Sequence, residues 1–180
     1  MSEYHNPVML RECIEALITD KSGVYADATF GGGGHSRGIL STLDADGRLI
    51  AFDRDADALA NAPEDSRFTL IRNNFRFIHN FILFEGYKNG IDGIMADLGV
   101  SSHQFDTAER GFSFRYDAPL DMRMNTEAAV TAADLLNSRE EGDIERILRV
   151  YGEVGQSRKM ASLIVRARKT AAIETTVQLN

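Results

Sequence analysis

Chemistry is concentrated between Val24 and His35, where Val24-Tyr25-Ala26-Asp27-Ala28-Thr29-Phe30 runs into Gly31-Gly32-Gly33-Gly34 and then His35. Only glycine takes a positive φ without steric cost and lets a ligand approach the main chain closely. A tight turn needs one glycine, so four in a row read as a loop shaped for a ligand. A strand, a glycine loop and a helix in that order place nucleotide-like ligands at the carboxyl ends of strands in open α/β sheets. Asp53 comes 19 residues after Gly34, at the end of the apolar run Arg48–Phe52. An acid there can accept hydrogen bonds from both hydroxyls of an adenosine ribose; the alternative is a helix cap for residues 54–62. Phe75 follows a third apolar run and offers a ring to an adenine, an ordinary core aromatic being the alternative. Asp97 closes a fourth run and opens the stretch Asp97–Asp106, too polar and glycine-bearing for a core, which reads as a wall of the site.

Two cofactor classes suit such a loop, and the third glycine separates them. A dinucleotide loop wants glycine where the helix meets the sheet. Counting from Gly31 and Gly33 places Ser36 there, and counting from Gly32 and Gly34 places Arg37 there. The arrangement Asp27-x-x-x-Gly31-x-Gly33 instead resembles the first motif of class I methyltransferases. S-adenosyl-L-methionine carries no pyrophosphate, but its amino-acid end presents an ammonium that needs an acid and a carboxylate that needs amide donors. Asp27 suits the first, directly or through water, and the amides around Gly33 and Gly34 suit the second.

The elements that must hold these groups follow from periodicity. Leu10, Cys13, Ile14, Leu17 and Ile18 share one stripe of a helix over residues 8–18, led in by His5-Asn6-Pro7. Apolar strands are expected from Val24 into the glycines and at 48–53, 68–71 and 90–97. Helices are expected after each of the first three, the segment 55–62 being short and the one around 77–83 carrying Phe77, Ile78, Phe81, Ile82 and Leu83. Strand–helix alternation of this kind is the signature of a doubly wound α/β sheet. Residues 99–126 show no period and read as a long functional loop. Three helical segments follow: one capped by Thr131, one with a capping box of Ser138 and Glu141, and one over 156–169 with Met160, Leu163, Ile164 and Ala167 on a stripe. The division expected is 1–106 for the sheet domain and 107–180 for the loop and helices. Thr175–Asn180 reads as a cap and first helical turn cut short, and a four-stranded sheet is incomplete, so the chain is expected to be part of a longer polypeptide.

Composition limits the classes. In 180 residues, 43% are hydrophobic and 26% charged, the pattern of a globular protein. No apolar run reaches a membrane span and no signal-peptide pattern opens the chain, which points to the cytoplasm. Cys13 is the only cysteine, and on an apolar stripe it reads as a small core residue. The four histidines are scattered, so no metal is expected. The net charge of −7 is uneven, residues 1–100 holding nine basic and 15 acidic side chains and residues 101–180 eleven and twelve. The second half is therefore the better surface for a polyanion.

Five motifs in order, Thr29–Ser36, Asp53-Arg54-Asp55, Asp97–Ser102, Glu109-Arg110-Gly111-Phe112-Ser113-Phe114 and Pro119–Met124, strongly resemble the MraW/RsmH methyltransferase family over nearly the whole chain. The resemblance implies a class I, Rossmann-like methyltransferase sheet, incomplete here, with an inserted helical domain. It implies methyl transfer from S-adenosyl-L-methionine to N4 of a cytidine in the decoding region of bacterial 16S ribosomal RNA, within the small subunit. By the same likeness the cofactor contacts are Gly33, Gly34, His35, Asp53, Phe75, Asp97 and Gln104. Members of that family continue well past residue 180, so these residues alone are not expected to suffice for turnover.

Cytosine's exocyclic amine is a poor nucleophile, so positioning and an acceptor for its N–H govern the reaction. Asp97, or a main-chain carbonyl of Leu98–Val100, is the expected acceptor. For RNA, Arg110, Arg115 and Arg123 alternate with Phe112, Phe114 and Tyr116, which suits phosphate binding and base stacking. Asp117 and Asp121 could instead neutralise those arginines in a structural loop. Arg158, Lys159, Arg166 and Lys169 lie opposite the last apolar stripe, as a solvated face or as an RNA backbone contact. A nicotinamide-dependent oxidoreductase and a non-catalytic RNA-binding factor are the rival classes, disfavoured by the missing third glycine and by the intact cofactor motif respectively.

Overall fold

A computed structural model describes residues 7–180, and His5 and Asn6 of the expected lead-in lie outside the described residues. The chain forms two compact units, one running to Ser101 and including Met124–Thr126, the other Ser102–Arg123 with Glu127–Asn180.

The first unit is α/β. In chain order it holds α1 (Leu10–Leu17), β1 (Val24–Asp27), α2 (Gly34–Thr42), β2 (Arg48–Asp53), β3 (Phe68–Arg72), α3 (Ile78–Phe84) and β4 (Gly93–Met95). The sheet order is β3-β2-β1-β4 and every pairing is parallel, Ala26 standing opposite Ile50 on one side and Ile94 on the other. β1 and β2 are buried in the centre, which explains their unbroken apolar character: parallel strands covered on both faces have no solvent side to make polar. On one face Tyr25, Ile39, Leu40, Leu43 and Leu49 pack with Ile14 and Leu17, and on another Ile50, Phe52 and Ile82 pack with Phe81. Gly38 lets α1 lie against α2, since a Cβ there would come within 2.5 Å of Ile14 Cδ1.

Two boundaries differ from the sequence expectation. The segment after β2 is a 3₁₀ helix, Ala56–Asn61, with Asp55 as its cap. β4 pairs over three residues only, so Asp97 lies beyond its end rather than on it.

The second unit is helical: α4 (Ser102–Asp106), α5 (Ala132–Ser138), α6 (Glu141–Val150), α7 (Ser157–Ala167) and α8 (Thr176–Leu179). Its core is Leu120, Leu136, Ile144, Ala161, Ile164 and Ile173. Main-chain bonds close it. Leu120 N donates to Glu174 O (2.8 Å), Thr176 N to Ala118 O (3.0 Å), and the Thr176 hydroxyl to Tyr116 O (2.6 Å). The Asn137 amide mimics a strand partner, donating to Ile173 O (2.8 Å) while its oxygen accepts from Ile173 N (3.0 Å).

Three expectations are corrected here. Residues 99–126 are not free of regular structure: α4 and a 3₁₀ turn at Ala108–Arg110 lie within them, too short for a period to show. Thr131 does cap α5, in a capping box with Asp134, but Ser138 and Glu141 form no box. Ser138 is the last residue of α5, and its hydroxyl is taken by Asp134 O (2.7 Å), a back-bond within its own helix. The stripe of α7 is also rotated, Ser157, Ala161 and Ile164 being buried while Met160 and Leu163 are exposed. Small residues, not the largest apolar ones, make the close approach.

Candidate cofactor and substrate site

The carboxyl ends of β1, β2 and β4 are tied together by side chains of the glycine loop and its neighbours. Main-chain bonds carry β1 past its last residue, Ala28 N donating to Met95 O (2.8 Å) and Phe30 N to Phe52 O (2.9 Å). The chain then turns through Gly31 (φ +51°) and Gly33 (φ +74°), backbone that disfavours any side chain. A Cβ at Gly31 would meet only Thr29 O, at 4.0 Å, so glycine leaves open space there. Gly33 is the N-cap of α2, contributes no side-chain oxygen, and no acid lies in the first turn. That end of the helix suits an anionic group.

Asp53 spans two turns. Its Oδ2 accepts from Gly31 N (2.7 Å) and its Oδ1 from Asp55 N (2.8 Å). Each carboxylate oxygen keeps acceptor capacity beyond its one main-chain bond, as a ribose contact requires. The cap of the following 3₁₀ segment is Asp55, not Asp53.

Asp27 also has a bracing task within the loop. It is fully buried, Oδ1 accepting from Thr29 N (3.0 Å) and Oδ2 from the Ser36 hydroxyl (2.7 Å). Burial pushes its carboxyl above the ordinary range, against the Ser36 and Thr29 donors that favour the charge. Asp27 therefore staples the two sides of the glycine loop to each other. Thr29 extends the brace, its hydroxyl accepting from Asp97 N (2.7 Å) and so joining the β1 end to the segment after β4. Sequence reading did not single out Thr29 or Ser36. The available signal was a hydroxyl two residues after an acid at a strand end, a pattern of side chain-to-backbone turns.

The remaining expected positions fall as follows. His35 is buried, and its Nε2 lies 3.1 Å from Val8 O; a carbonyl only accepts, so Nε2 carries the proton. Gly34 packs against Pro7. Phe75 opens a 3₁₀ turn capped by Asn74 and is 39% exposed, so it is not a core aromatic. Asp97 is exposed. Gln104 is buried on α4, in the second unit.

The arginine loop divides into structural and outward parts. Arg123 grips Asp121 with two bonds (Nε–Oδ1 2.8 Å, Nη2–Oδ2 2.6 Å) and donates to Ala128 O (2.6 Å). That grip holds the Asp121 carboxyl below its ordinary range. Arg110 is buried and donates to Arg123 O (3.0 Å). The salt-bridged alternative therefore holds for Arg123. Arg115 is exposed, with its guanidinium 5.2 Å from the centre of the Phe105 ring, Phe112 is half-buried, and Phe114 and Tyr116 face solvent.

Among the described residues no group of three or more His, Cys, Asp or Glu is placed to hold a metal ion. No helix among them is long and apolar enough to cross a membrane.

A model of the MraW methylase family matches residues 2–180. A protein of Parabacteroides distasonis, named ribosomal RNA small subunit methyltransferase H, is 54% identical over 172 residues, 96% of this chain and 56% of its own length. Proteins of the same name from Bacteroides fragilis (54% over 172 residues, 96% and 56%) and Christiangramia forsetii (50% over 180 residues, 100% and 59%) are similarly related. The chain thus spans little more than half the length of these curated relatives.

Proposed function

The chain belongs to the MraW methylase family, and from that premise we propose that it carries the cofactor-binding part of an enzyme that methylates N4 of a cytidine in the decoding region of 16S ribosomal RNA. The methyl donor is S-adenosyl-L-methionine, the macromolecular partner is the small ribosomal subunit, and the compartment is the cytoplasm. One observation carries this reading: Asp53, the glycine loop, Thr29 and the Asp97 main chain are hydrogen-bonded into one rim across the ends of β2, β1 and β4. Such a rim is where an open α/β sheet binds a nucleoside.

S-adenosyl-L-methionine, when bound, supplies an electrophilic methyl on sulfur. In this reading Asp53 accepts from the ribose hydroxyls, the amides at Gly33 and Gly34 hold the carboxylate end, and Phe75 lays its exposed ring on the adenine. His35 completes the contacts made by the first unit, and Gln104 enters on the family resemblance alone. Asp97 would accept a hydrogen bond from the cytosine amine, hold N4 towards the methyl that the cofactor would supply, and take the proton that N4 gives up. Most of the acceleration comes from alignment, worth up to ~7–11 kcal/mol, and less from the acceptor, typically ~10²–10⁴-fold. Arg115 and Phe112 face the RNA, while Arg110 and Arg123 shape the loop that presents them. For Asp97, the expected result of Asp97→Asn in the full-length enzyme is a single-turnover rate at least ~10²-fold slower with cofactor still bound; an unchanged rate assigns the acceptor to a main-chain carbonyl.

Calorimetric titration with S-adenosylhomocysteine, with NADH as control, tests the cofactor. The expected outcome is binding of the first alone, weakened about 10- to 100-fold by Asp53→Ala, the loss of hydrogen bonds to a charged acceptor. Binding of NADH in its place overturns the reading.

A further inference from the structure

Residues 154–173 contain five basic and no acidic side chains, so the rest of this chain carries a formal net charge of −12. α7 lies within that run and sorts the five by direction. It turns Ser157, Ala161 and Ile164 inward, and Arg168 with them, whose guanidinium donates to Leu136 O (2.6 Å) and Arg139 O (2.7 Å) at the end of α5. Arg158, Lys159, Arg166 and Lys169 are left exposed. Among the described residues none of these four side chains makes an ion pair or a hydrogen bond. In the same unit Arg123 pairs with Asp121 and Arg149 with Glu145 (3.9 Å). The four on α7 are therefore a concentration of unneutralised charge on an acidic chain.

Helical geometry places all four within about a third of the circumference of α7 and its C-terminal extension, with Ser162 between them. Arg158 and Arg166 stand about 12 Å apart along the axis. An open groove of about 900 Å³ runs beside them, with Glu141 and Glu145 of α6 on its other wall. Those acids confine an anionic strand to the α7 side. We propose that this face of α7 is a docking strip for the sugar–phosphate backbone of RNA, a contact that rests on the ribosomal RNA reading above and uses none of the cofactor-rim residues. Phosphate is the ligand that four unpaired cations on one face recognise without regard to base sequence. A membrane surface fits less well, because the apolar face of α7 is turned into the core and only Met160 and Leu163 remain outside.

The test is fluorescence anisotropy of the whole chain with two labelled RNAs, one a decoding-region hairpin and the other a scrambled strand of equal length, from 50 to 300 mM salt. The expected result is that Arg158→Ala, Lys159→Ala and Arg166→Ala together weaken both RNAs about tenfold or more. The same variant reduces the slope of log affinity against log salt by about 2. Arg158→Lys with Arg166→Lys, which keeps the charge, retains both values. The proposal is overturned if the triple variant keeps its affinity and slope, if the unaltered chain binds neither RNA at 50 mM salt, or if phosphatidylserine vesicles alone lose binding in the variant. S-adenosylhomocysteine titration of the same samples separates the two readings. Cofactor binding with an unchanged RNA slope removes the strip and leaves the methyltransferase; an altered slope without cofactor binding does the reverse.

Discussion

Asp27 shows how one carboxylate can organise a ligand loop from inside it. Its two oxygens hold Thr29 N and the Ser36 hydroxyl, the last fixed point before the glycines and the first turn after them. Removing the hydroxyl leaves a buried carboxylate oxygen unsatisfied, so Ser36→Ala is expected to cost about 1–3 kcal/mol in denaturant unfolding and to weaken S-adenosylhomocysteine binding in parallel. The pH dependence has a definite sign. Because burial raises the Asp27 pKa above its unfolded value, the folded chain favours the neutral form. Asp27 therefore lowers stability as pH rises through the raised value, and the penalty is absent below the unfolded value. Asp27→Asn is expected to lose less stability than the parent between pH 4 and 8, measured as the difference between the two unfolding curves. An identical pH profile in both would mean that Asp27 does not titrate in that window.

At the scale of elements, Asn137 does for the helical unit what a strand does for a sheet. Its amide pairs in both directions with the main chain of Ile173, 36 residues away. Asn137→Ala is expected to destabilise the second unit by about 2–3 kcal/mol, and the readout is faster hydrogen exchange at the Ile173 amide with exchange at Ala26 unchanged. The strands β1 and β2 were legible in the sequence because a parallel strand buried on both faces must be apolar throughout, and Asp53 was legible as the acid that stops such a run. The tie between Asp27 and Ser36 was not, since nothing in a spacing of nine says that a hydroxyl will turn back onto an acid. α4 was missed because five residues cannot display a period of 3.6. The stripe of α7 was misplaced because sequence pattern ranks residues by hydrophobicity, whereas close helix packing selects the small Ser157 and Ala161 and leaves Met160 outside. Arg123 and Arg115 look alike in sequence, and only the position of Asp121 separates the brace from the outward cation.

At the scale of the whole molecule, the sheet is uneven at its two sides. β4 pairs with β1 on one side and, among the described residues, with no strand on the other. Ile94 is 54% exposed on it, with Leu98 and Val100 exposed just beyond. An open apolar edge templates further strand pairing. The chain studied alone is expected to show concentration-dependent association in sedimentation velocity, reduced in Ile94→Lys; a monomer at all concentrations would mean that the edge is too short to pair. The closure of the second unit has a consequence in time. Ala118 meets Thr176 across 58 residues, and Leu120, a core residue, is fixed by Glu174. Loops of that length close late and slowly. On a translating ribosome the helices α5, α6 and α7 would emerge one by one, with Ala118 and Leu120 still unlatched until the segment from Ile173 to Thr176 follows them. The segment around Ala118 and Leu120 is thus held by residues more than 50 positions later in the chain, and a pause in translation just before Ile173 would lengthen its exposure to proteases and chaperones.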